Sequence, residues 1–301
     1  MVTKKCFGKL NISLKVLGVK GGYHELDSVV MTVDKYDVIT VKKRKDDKIL
    51  VTFVGPYAQT PKVQEETNTY KAAKLFKDTF NTSGVDVTVK VNIPTGSGMG
   101  GSSADIAGVL GAMKTLFKVN ADLKPLSDSL GSDSGYLLSC GFARLNGRGE
   151  KITHLKTDHK YYFVVIYALN GVSTKECFTL YDKGYKQPVI DNEKVIEGIV
   201  NEDLALIGAN CGNDLYLPAK ELNPEIEENL NALRGLSPAV CGMTGSGATC
   251  FAMYDHYEMA RWAESKLKKK YGKRVEVLSF YNPNALGFFD KFFGFFPPER
   301  H

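Results

Sequence analysis

The chain has 301 residues, of which 43% are hydrophobic and 24% are charged. This composition is typical of a globular protein and excludes a disordered one, and the length suffices for one large domain or two smaller ones that share a cleft. The formal net charge of +5 is small, and the lysines lie among acidic residues, as in residues 42–47. The sequence therefore argues against a nucleic-acid-binding protein, whose basic residues cluster on one face.

Six cysteines are scattered along the chain without a C-x-x-C pair, so neither a zinc site nor a disulfide framework is expected. Reduced thiols of this kind point to the cytosol. No apolar leader follows Met1, and no run of about 18 apolar residues could span a bilayer. We therefore expect a cytoplasmic protein, either a monomer or a homodimer.

In the first half of the chain, alternating polar and apolar positions predict strands, and apolar residues three or four apart predict helices. The predicted strands cover residues 11–17, 29–41, 49–54 and 85–93. The predicted helices cover residues 67–79 and 106–117. A glycine loop precedes the second helix, which is expected to begin at about Ser103.

The second half continues with strands and helices in mixed order. Strands are predicted at 161–168 and 274–280, a strand–turn–strand unit at 240–254, and helices at 192–207, 224–234 and 259–271. The lysine-rich run at 266–270 is predicted to be the solvated face of the last helix. Because the order shows no regular βαβ alternation, the sequence predicts an α+β fold.

A polar stretch without periodicity at 149–160 suggests a boundary between two domains, residues 1–155 and 156–283. Residues 284–301 form a separate, aromatic-rich tail, with six phenylalanines between Phe288 and Phe296. Such a tail can contact a membrane surface or a partner subunit, or pack back on the protein. The sequence alone leaves these alternatives open.

The glycine loop after the strand at 85–93 is the strongest local signal. Backbone N–H groups of such a loop can approach an anion closely, and the following helix adds its positive N-terminal end. Ser102 and Ser103 could cap that helix or offer hydroxyls to a phosphate or a metal. The loop is neither a Walker A nor a Rossmann motif, and on its own it could also be a turn without a ligand. Its four glycines are Gly96, Gly98, Gly100 and Gly101.

Three short segments together resemble the GHMP kinases, a superfamily named for galactokinase, homoserine kinase, mevalonate kinase and phosphomevalonate kinase. They are Gly8-Lys-Leu-Asn11, residues 94–105, and a second glycine turn at 242–248 that alone would be typical of any hairpin. Further blocks at 21–27, 131–133, 147–150, 171–174 and 213–226 resemble one branch, the 4-diphosphocytidyl-2-C-methyl-D-erythritol kinases. All run in that branch's order.

The resemblance implies a two-lobed fold with an ATP cleft between the lobes. It also implies Mg²⁺ as the companion of ATP, and phosphorylation of the 2-hydroxyl of a cytidylyl-methylerythritol substrate in the non-mevalonate route to isoprenoid precursors. Asp133 matches the catalytic aspartate, expected to accept the hydroxyl proton, and Lys9 matches the cation that holds it and counters charge on the transferred group. A metal bound by protein alone is not expected, because the histidines outside the motifs are His154, His159, His256 and His301.

The remaining site residues follow from the same resemblance. Tyr23 and His24 are expected to hold the cytosine by stacking and by hydrogen bonds, with Phe178 as a wall of the base site. Asn11, Gly245 and Ser246 are expected near the substrate, and Asn68 near the nucleotide. The phosphates of ATP are expected on Gly96, Gly98, Gly100, Gly101, Ser102 and Ser103.

Two positions depart from the branch's pattern. Ser134-Gly135 follows the aspartate where the branch usually has Val-Pro, and glycine leaves free a backbone that proline would fix. Ala104 stands where the branch usually has a serine. The change at Ser134-Gly135 keeps open a nucleotide-binding protein of this fold without turnover. A GHMP kinase for another small alcohol, of the mevalonate or homoserine type, is a second alternative.

Overall fold

Two long strands at the start of the chain organise the first sheet. The computed structural model describes residues 1–185 and 188–283. β1 (Val2–Lys20) pairs antiparallel with β2 (Tyr23–Lys43) through a turn at Gly21 and Gly22, both with positive φ. Glycine adopts this conformation without strain, so the turn places the Tyr23-His24 pair at the tip of a long hairpin.

The first sheet has six strands and centres on β2. β4 (Val85–Lys90) pairs with one end of β2, and β5 (Phe142–Gly147) pairs with the other. β3 (Ile49–Val54) lies parallel to β4, and β6 (Lys151–Leu155) lies antiparallel to β5 at the opposite edge. The β1–β2 pairing shifts register on both sides of residues 9–11, a kind of irregularity that re-aims side chains next to functional sites.

Four helices accompany this sheet. α2 contacts β1, β2 and α1, and a Cβ on its Gly108 would lie only 2.0 Å from the Sγ of Cys6. Glycine at this position therefore lets the helix approach the sheet closely. The helices are α1 (Asn68–Phe80), α2 (Gly101–Phe117), α3 (Lys124–Leu130) and α4 (Ser134–Leu137).

The second sheet has four antiparallel strands in the order β10-β7-β9-β8. Its strands are β7 (Tyr162–Ile166), β8 (Val240–Met243), β9 (Cys250–Tyr254) and β10 (Val275–Ser279). The helices of this half are α5 (Thr174–Tyr181), α6 (Asn192–Val200), α7 (Leu204–Asn210), α8 (Tyr216–Leu222), α9 (Glu225–Arg234) and α10 (Tyr257–Tyr271). Two sheets with helices in mixed order confirm the predicted α+β class and two-lobed architecture.

Two clusters of buried apolar residues form the core. The larger one joins β1, β2, β4, α1 and α2 and extends to Phe163 and Phe251 of the second sheet. The smaller one lies around α9 and α10, where Leu230 and Leu267 are buried. Because the larger cluster includes residues from both sheets, the two halves of the chain are packed against each other. The domain boundaries at 155 and 283 stay predictions.

Several element boundaries were wrong. Residues 149–160, expected to be an aperiodic boundary, contain β6, an edge strand with little burial and hence no clear apolar pattern. The single helix expected at 192–207 is two helices, because Asp203 caps α7 with its side chain and Glu202 before it has a positive φ. α2 begins at Gly101 rather than at Ser103.

Other expectations concern the surface of the protein. The lysines of α10 are exposed, which confirms the predicted solvated face. In residues 1–185 and 188–283, no helix is long and apolar enough to cross a membrane. The predicted aromatic tail at 284–301 lies outside the described residues.

Candidate active site

A cleft of about 1000 Å³ brings the sequence-predicted residues together. Strands of the first sheet line it, and the second half of the chain contributes α5 and the turn between β8 and β9, so both halves form its walls as the two-lobed expectation requires. Asn68 does not line the cleft, but its side-chain amide donates a hydrogen bond of 2.7 Å to Ser102 Oγ. The predicted residues that line the cleft are Lys9, Asn11, Tyr23, His24, Gly96, Gly98, Gly100, Gly101, Ser102, Ser103, Asp133, Phe178, Gly245 and Ser246.

Lys9 and Asp133 form an ion pair inside the cleft. Lys9 lies on β1, and its Nζ is 3.4 Å from Asp133 Oδ2 and donates a short hydrogen bond to Asn11 Oδ1. The lysine side chain is 4% exposed and that of the aspartate 28%. A buried ammonium held by two oxygen acceptors has a fixed position, while the aspartate keeps an open side toward the cleft. This arrangement suits a base that must meet a substrate hydroxyl.

Thr244 connects β1 to both glycine loops. Its hydroxyl accepts a hydrogen bond of 2.9 Å from the backbone N–H of Asn11, and lies 3.2 Å from both Asn11 Oδ1 and the carbonyl of Gly98. Asn11 in turn donates its amide to Ser28 Oγ at 2.8 Å. Every polar group in this buried network therefore has a partner, which holds the Lys9 acceptor in place.

The two glycine loops touch each other so closely that side chains could not fit between them. A Cβ on Gly98 would lie 2.1 Å from the carbonyl oxygen of Thr244, and one on Gly245 would lie 2.8 Å from the carbonyl oxygen of Gly98. Both glycines also have positive φ. The backbone of Gly96 accepts N–H bonds from Val172 and Ala248, both at 3.2 Å. The loops pack as a single wall, and residues of both line the cleft, where backbone groups could meet an anion.

The first glycine loop, at residues 96–101, ends at the N-terminus of α2. Gly100 is the N-cap, and no side chain caps the first turn, so its N–H groups are left for a ligand. Ser102 and Ser103 lie in that turn and line the cleft. The side chain of Ala104, by contrast, is buried in the core. The serine-to-alanine departure therefore removes no hydroxyl from the cleft.

The segment after Asp133 is held without a proline. Ser134 is fully buried, and its Oγ lies 2.7 Å from the carbonyl of Ser127 and 2.6 Å from that of Gly131, one of which accepts its proton. A Cβ on Gly135 would lie 2.2 Å from Asp128 Oδ1. The buried hydroxyl and the close packing of Gly135 thus replace the rigidity that proline would supply.

Aromatic side chains gather at the tip of the β1–β2 hairpin. The ring of His24 stacks on that of Phe178 from α5, with centroids 4.4 Å apart, and its Nε2 is 2.7 Å from Asp182 Oδ1. Tyr23 is 57% exposed, and the guanidinium of Arg148 lies 4.3 Å from the centre of its ring. Flat π-surfaces next to polar groups are the means by which proteins bind nucleobases.

Two buried carboxyl groups line the cleft near the start of α2. Burial raises the pKa of Asp37 to about 6, although hydrogen bonds from the backbone N–H groups of Ile93 (2.8 Å) and Asn92 (2.5 Å) oppose the rise. Burial, followed by the charge of Asp37, raises the pKa of Asp105 well above its ordinary range. Asp105 Oδ1 is buried without a hydrogen-bond partner among the described residues. Asp105 is thus an uncompensated buried acid next to the first glycine loop, whereas two backbone N–H groups offset part of the burial of Asp37.

Sequence reasoning missed several residues of the site. Arg148 lies in the segment at 147–150, which resembles the same kinase branch as the segment that contains Tyr23. This shared resemblance was the signal that could have placed Arg148 in the site. Asp182 lies in none of the resembling segments. Thr244 lies in the second glycine turn, but its contact with Asn11, like that of Asp182 with His24, joins segments distant in the sequence. Ser134 was noted only as a departure from the branch's pattern. In the described ranges, no group of three or more His, Cys, Asp or Glu residues could hold a metal ion.

Comparison with known proteins shows the family to which the chain belongs. Residues 68–139 match the GHMP kinases N terminal domain, and residues 195–273 match the GHMP kinases C terminal domain. The chain is 35% identical over 277 residues to a 4-diphosphocytidyl-2-C-methyl-D-erythritol kinase of Clostridium beijerinckii, covering 89% of this chain and 96% of the relative. The kinase of the same name from Clostridium perfringens is 36% identical over 275 residues, covering 89% and 93%. The chain belongs to the 4-diphosphocytidyl-2-C-methyl-D-erythritol kinase family.

Solved structures agree with this assignment. A crystal structure of 4-(cytidine 5'-diphospho)-2C-methyl-D-erythritol kinase superposes with a TM-score of 0.75 at 26% identity, over 92% of this chain and 98% of that one. A homoserine kinase from Cytophaga hutchinsonii has a TM-score of 0.70 at 18% identity, over 94% and 95%, and shares the fold. The chain is therefore a small-molecule kinase of the GHMP superfamily, as the motifs predicted.

Proposed function

We propose that this kinase transfers the γ-phosphoryl group of ATP to the 2-hydroxyl of 4-diphosphocytidyl-2-C-methyl-D-erythritol. One observation carries the proposal more than any other: Lys9 Nζ lies 3.4 Å from Asp133 Oδ2 in a cleft whose wall is the two glycine loops. A base and a cation are thus side by side next to an anion site, as phosphoryl transfer to a hydroxyl requires.

The two residues have complementary roles. Asp133 accepts the proton of the substrate hydroxyl as its oxygen attacks phosphorus, and the bond from phosphorus to the ADP oxygen breaks. Lys9 orients Asp133, and it offsets negative charge on the transferred group. The N–H groups at the start of α2 and the backbone of Gly96 and Gly98 hold the phosphates.

Residues of the cleft fit Mg²⁺ bound together with ATP. The hydroxyls of Ser102 and Ser103 and the unpartnered Oδ1 of Asp105 supply oxygen donors, the type that Mg²⁺ prefers. Mg²⁺ usually takes one or two protein oxygens and completes its shell with phosphates and water, so this small set of donors suits it. When bound, the ion would neutralise charge on the β- and γ-phosphates.

The cytidylyl part of the substrate would bind at the tip of the β1–β2 hairpin. Tyr23 offers an exposed ring face, and His24 and Phe178 line the cleft beside it. Asn11, Gly245 and Ser246 line the same cleft. A location in the cytoplasm and a monomeric or homodimeric state stay predictions.

The direct test is an ADP-release assay with Mg·ATP and three acceptors, the cytidylyl substrate, mevalonate and homoserine. We expect turnover with the first acceptor only, lost in Asp133→Ala and retained in Asp78→Ala, which removes an exposed aspartate of α1 paired with Lys74. Turnover with mevalonate or homoserine instead would keep the kinase and refute the substrate.

A nucleotide-binding protein without turnover was the alternative that Ser134-Gly135 raised. The anchoring of Ser134 and the ion pair of Asp133 count against it. ATP binding without ADP release on any acceptor would favour it.

A further inference from the structure

We propose that Asp182 is a positioning residue that sets the tautomer and ring orientation of His24, and through them the preference for cytosine over uracil. The inference rests on the proposed function, in which His24 contacts the base. Asp182 follows directly on α5, and its Oδ1 is 2.7 Å from His24 Nε2.

The contact determines which nitrogen of His24 carries a proton. An ionised carboxylate can only accept hydrogen bonds, and Asp182 is 53% exposed, so water supports its charge. His24 Nε2 must therefore be the donor, whether the imidazole is neutral or protonated. No described residue forms a hydrogen bond with Nδ1, which leaves this atom for a ligand in the cleft.

Two neighbours on α5 fix the plane of the same ring. Phe178 stacks on it with an interplanar angle of 27°, and Tyr181 meets it edge-on at 6.0 Å. Stacking fixes the plane of the imidazole but not which of its atoms faces Asp182. A rotation of the ring by 180° within the stack exchanges the positions of nitrogen and carbon atoms. Asp182 chooses between the two orientations, since only one of them places Nε2 at the carboxylate.

The free Nδ1 then distinguishes the two pyrimidines. Cytosine presents an amino donor at N4 and an acceptor at N3, whereas uracil presents an acceptor at O4 and a donor at N3. A neutral His24 would accept from the amino group, and a protonated one would donate to N3. With the base held in the same position, neutral Nδ1 meets the O4 acceptor of uracil instead of an amino donor, and protonated Nδ1 meets the N3–H donor instead of an acceptor. A site built around this hydrogen bond therefore discriminates strongly against uracil.

Equilibrium binding of CDP and UDP tests the inference without relying on phosphoryl transfer. In Asp182→Ala we expect the affinity for CDP to fall about three- to tenfold, while that for UDP changes little. Asp182→Asn, which keeps an acceptor oxygen, should recover most of the loss. Glu176→Ala removes an exposed carboxylate from the same helix without touching His24 and should behave as the unmodified protein.

Two further readouts separate positioning from a merely structural role. With the cytidylyl substrate, Asp182→Ala should raise KM rather than lower kcat. Long-range ¹H–¹⁵N spectra should show the His24 proton on Nε2 in the unmodified protein. A proton on Nδ1 alone, an unchanged CDP-to-UDP ratio in Asp182→Ala, or an equal loss for both nucleotides would overturn the inference. CDP selectivity without phosphoryl transfer would refute the proposed function and leave the role of Asp182 intact.

Discussion

Replacement of Lys9 by methionine removes the ammonium group and keeps a side chain of similar length. At the observed 3.4 Å, the attraction to Asp133 is about 5 kcal/mol at an effective dielectric constant of about 20. Asp133 is 28% exposed, and screening by water reduces this to about 2–3 kcal/mol. Asp133 loses its charge as it accepts the proton, so the contribution of Lys9 to kcat is its attraction to the charge on the transferred group. If that attraction has the same magnitude of about 2–3 kcal/mol, kcat falls about 30- to 150-fold.

Steady-state kinetics with the cytidylyl substrate would measure this loss. We expect it in kcat, with the KM for ATP nearly unchanged, because the phosphates rest mainly on the glycine loops. The matched control is Lys35→Met, which removes another strand lysine from an ion pair, 2.7 Å from Glu276 and outside the cleft. A kcat of Lys9→Met close to that of the control would refute the role of Lys9.

Three other perturbations test the supports of the site. Ser134→Ala loses a buried hydrogen bond, so it should lower the unfolding free energy in urea titrations by about 1–2 kcal/mol and also lower kcat. The control is Ser129→Ala, which removes an exposed hydroxyl. An effect of Ser134→Ala no larger than that of the control would contradict this expectation. Gly98→Ala should abolish ATP binding in calorimetry, because its Cβ would lie 2.1 Å from the carbonyl oxygen of Thr244 and its φ is +75°; near-normal affinity would show that the loops can separate. The pKa of Asp105 is higher in the native state than in the unfolded chain, so the native state keeps this proton at pH values at which the unfolded chain has lost it. The contribution of Asp105 to stability therefore falls as the pH rises above about 4. Asp105→Asn should therefore stabilise the protein against urea at pH 8 and not at pH 4, and equal effects at both pH values would argue against the raised pKa.

Most of the regular core was predictable from the sequence. The strand at 49–54 was predicted with its observed boundaries, and helix α9 within one residue, because alternation and helical spacing are strong there. β6 and the short helices α3, α4, α5 and α8 were missed. A strand at a sheet edge and helices of one or two turns bury too few residues to show a period, so tertiary contacts determine them.

Site residues also differ in how far they could be predicted from the sequence. The glycine loops and Lys9 were predictable because each lies in one short segment with its own chemistry. Thr244 was not, because it forms hydrogen bonds with Asn11, 233 positions away. The role of Ser134 was misjudged although its partners lie only three and seven positions before it. The sequence shows a missing proline, whereas the structure shows the carbonyl oxygens that hold its hydroxyl.

The contacts between the two glycine loops give several of their glycines a structural role. Lys9 donates its backbone N–H to the carbonyl of Met99 at 2.9 Å, and Gly98 touches both Thr244 and Gly245, so β1 and both loops pack as one unit. Several of these glycines are therefore required by packing before any phosphate binds. A binding protein of this fold would need the same glycines as a kinase. The pairing of Lys9 with Asp133 has no such packing requirement, and it is the feature that favours catalysis.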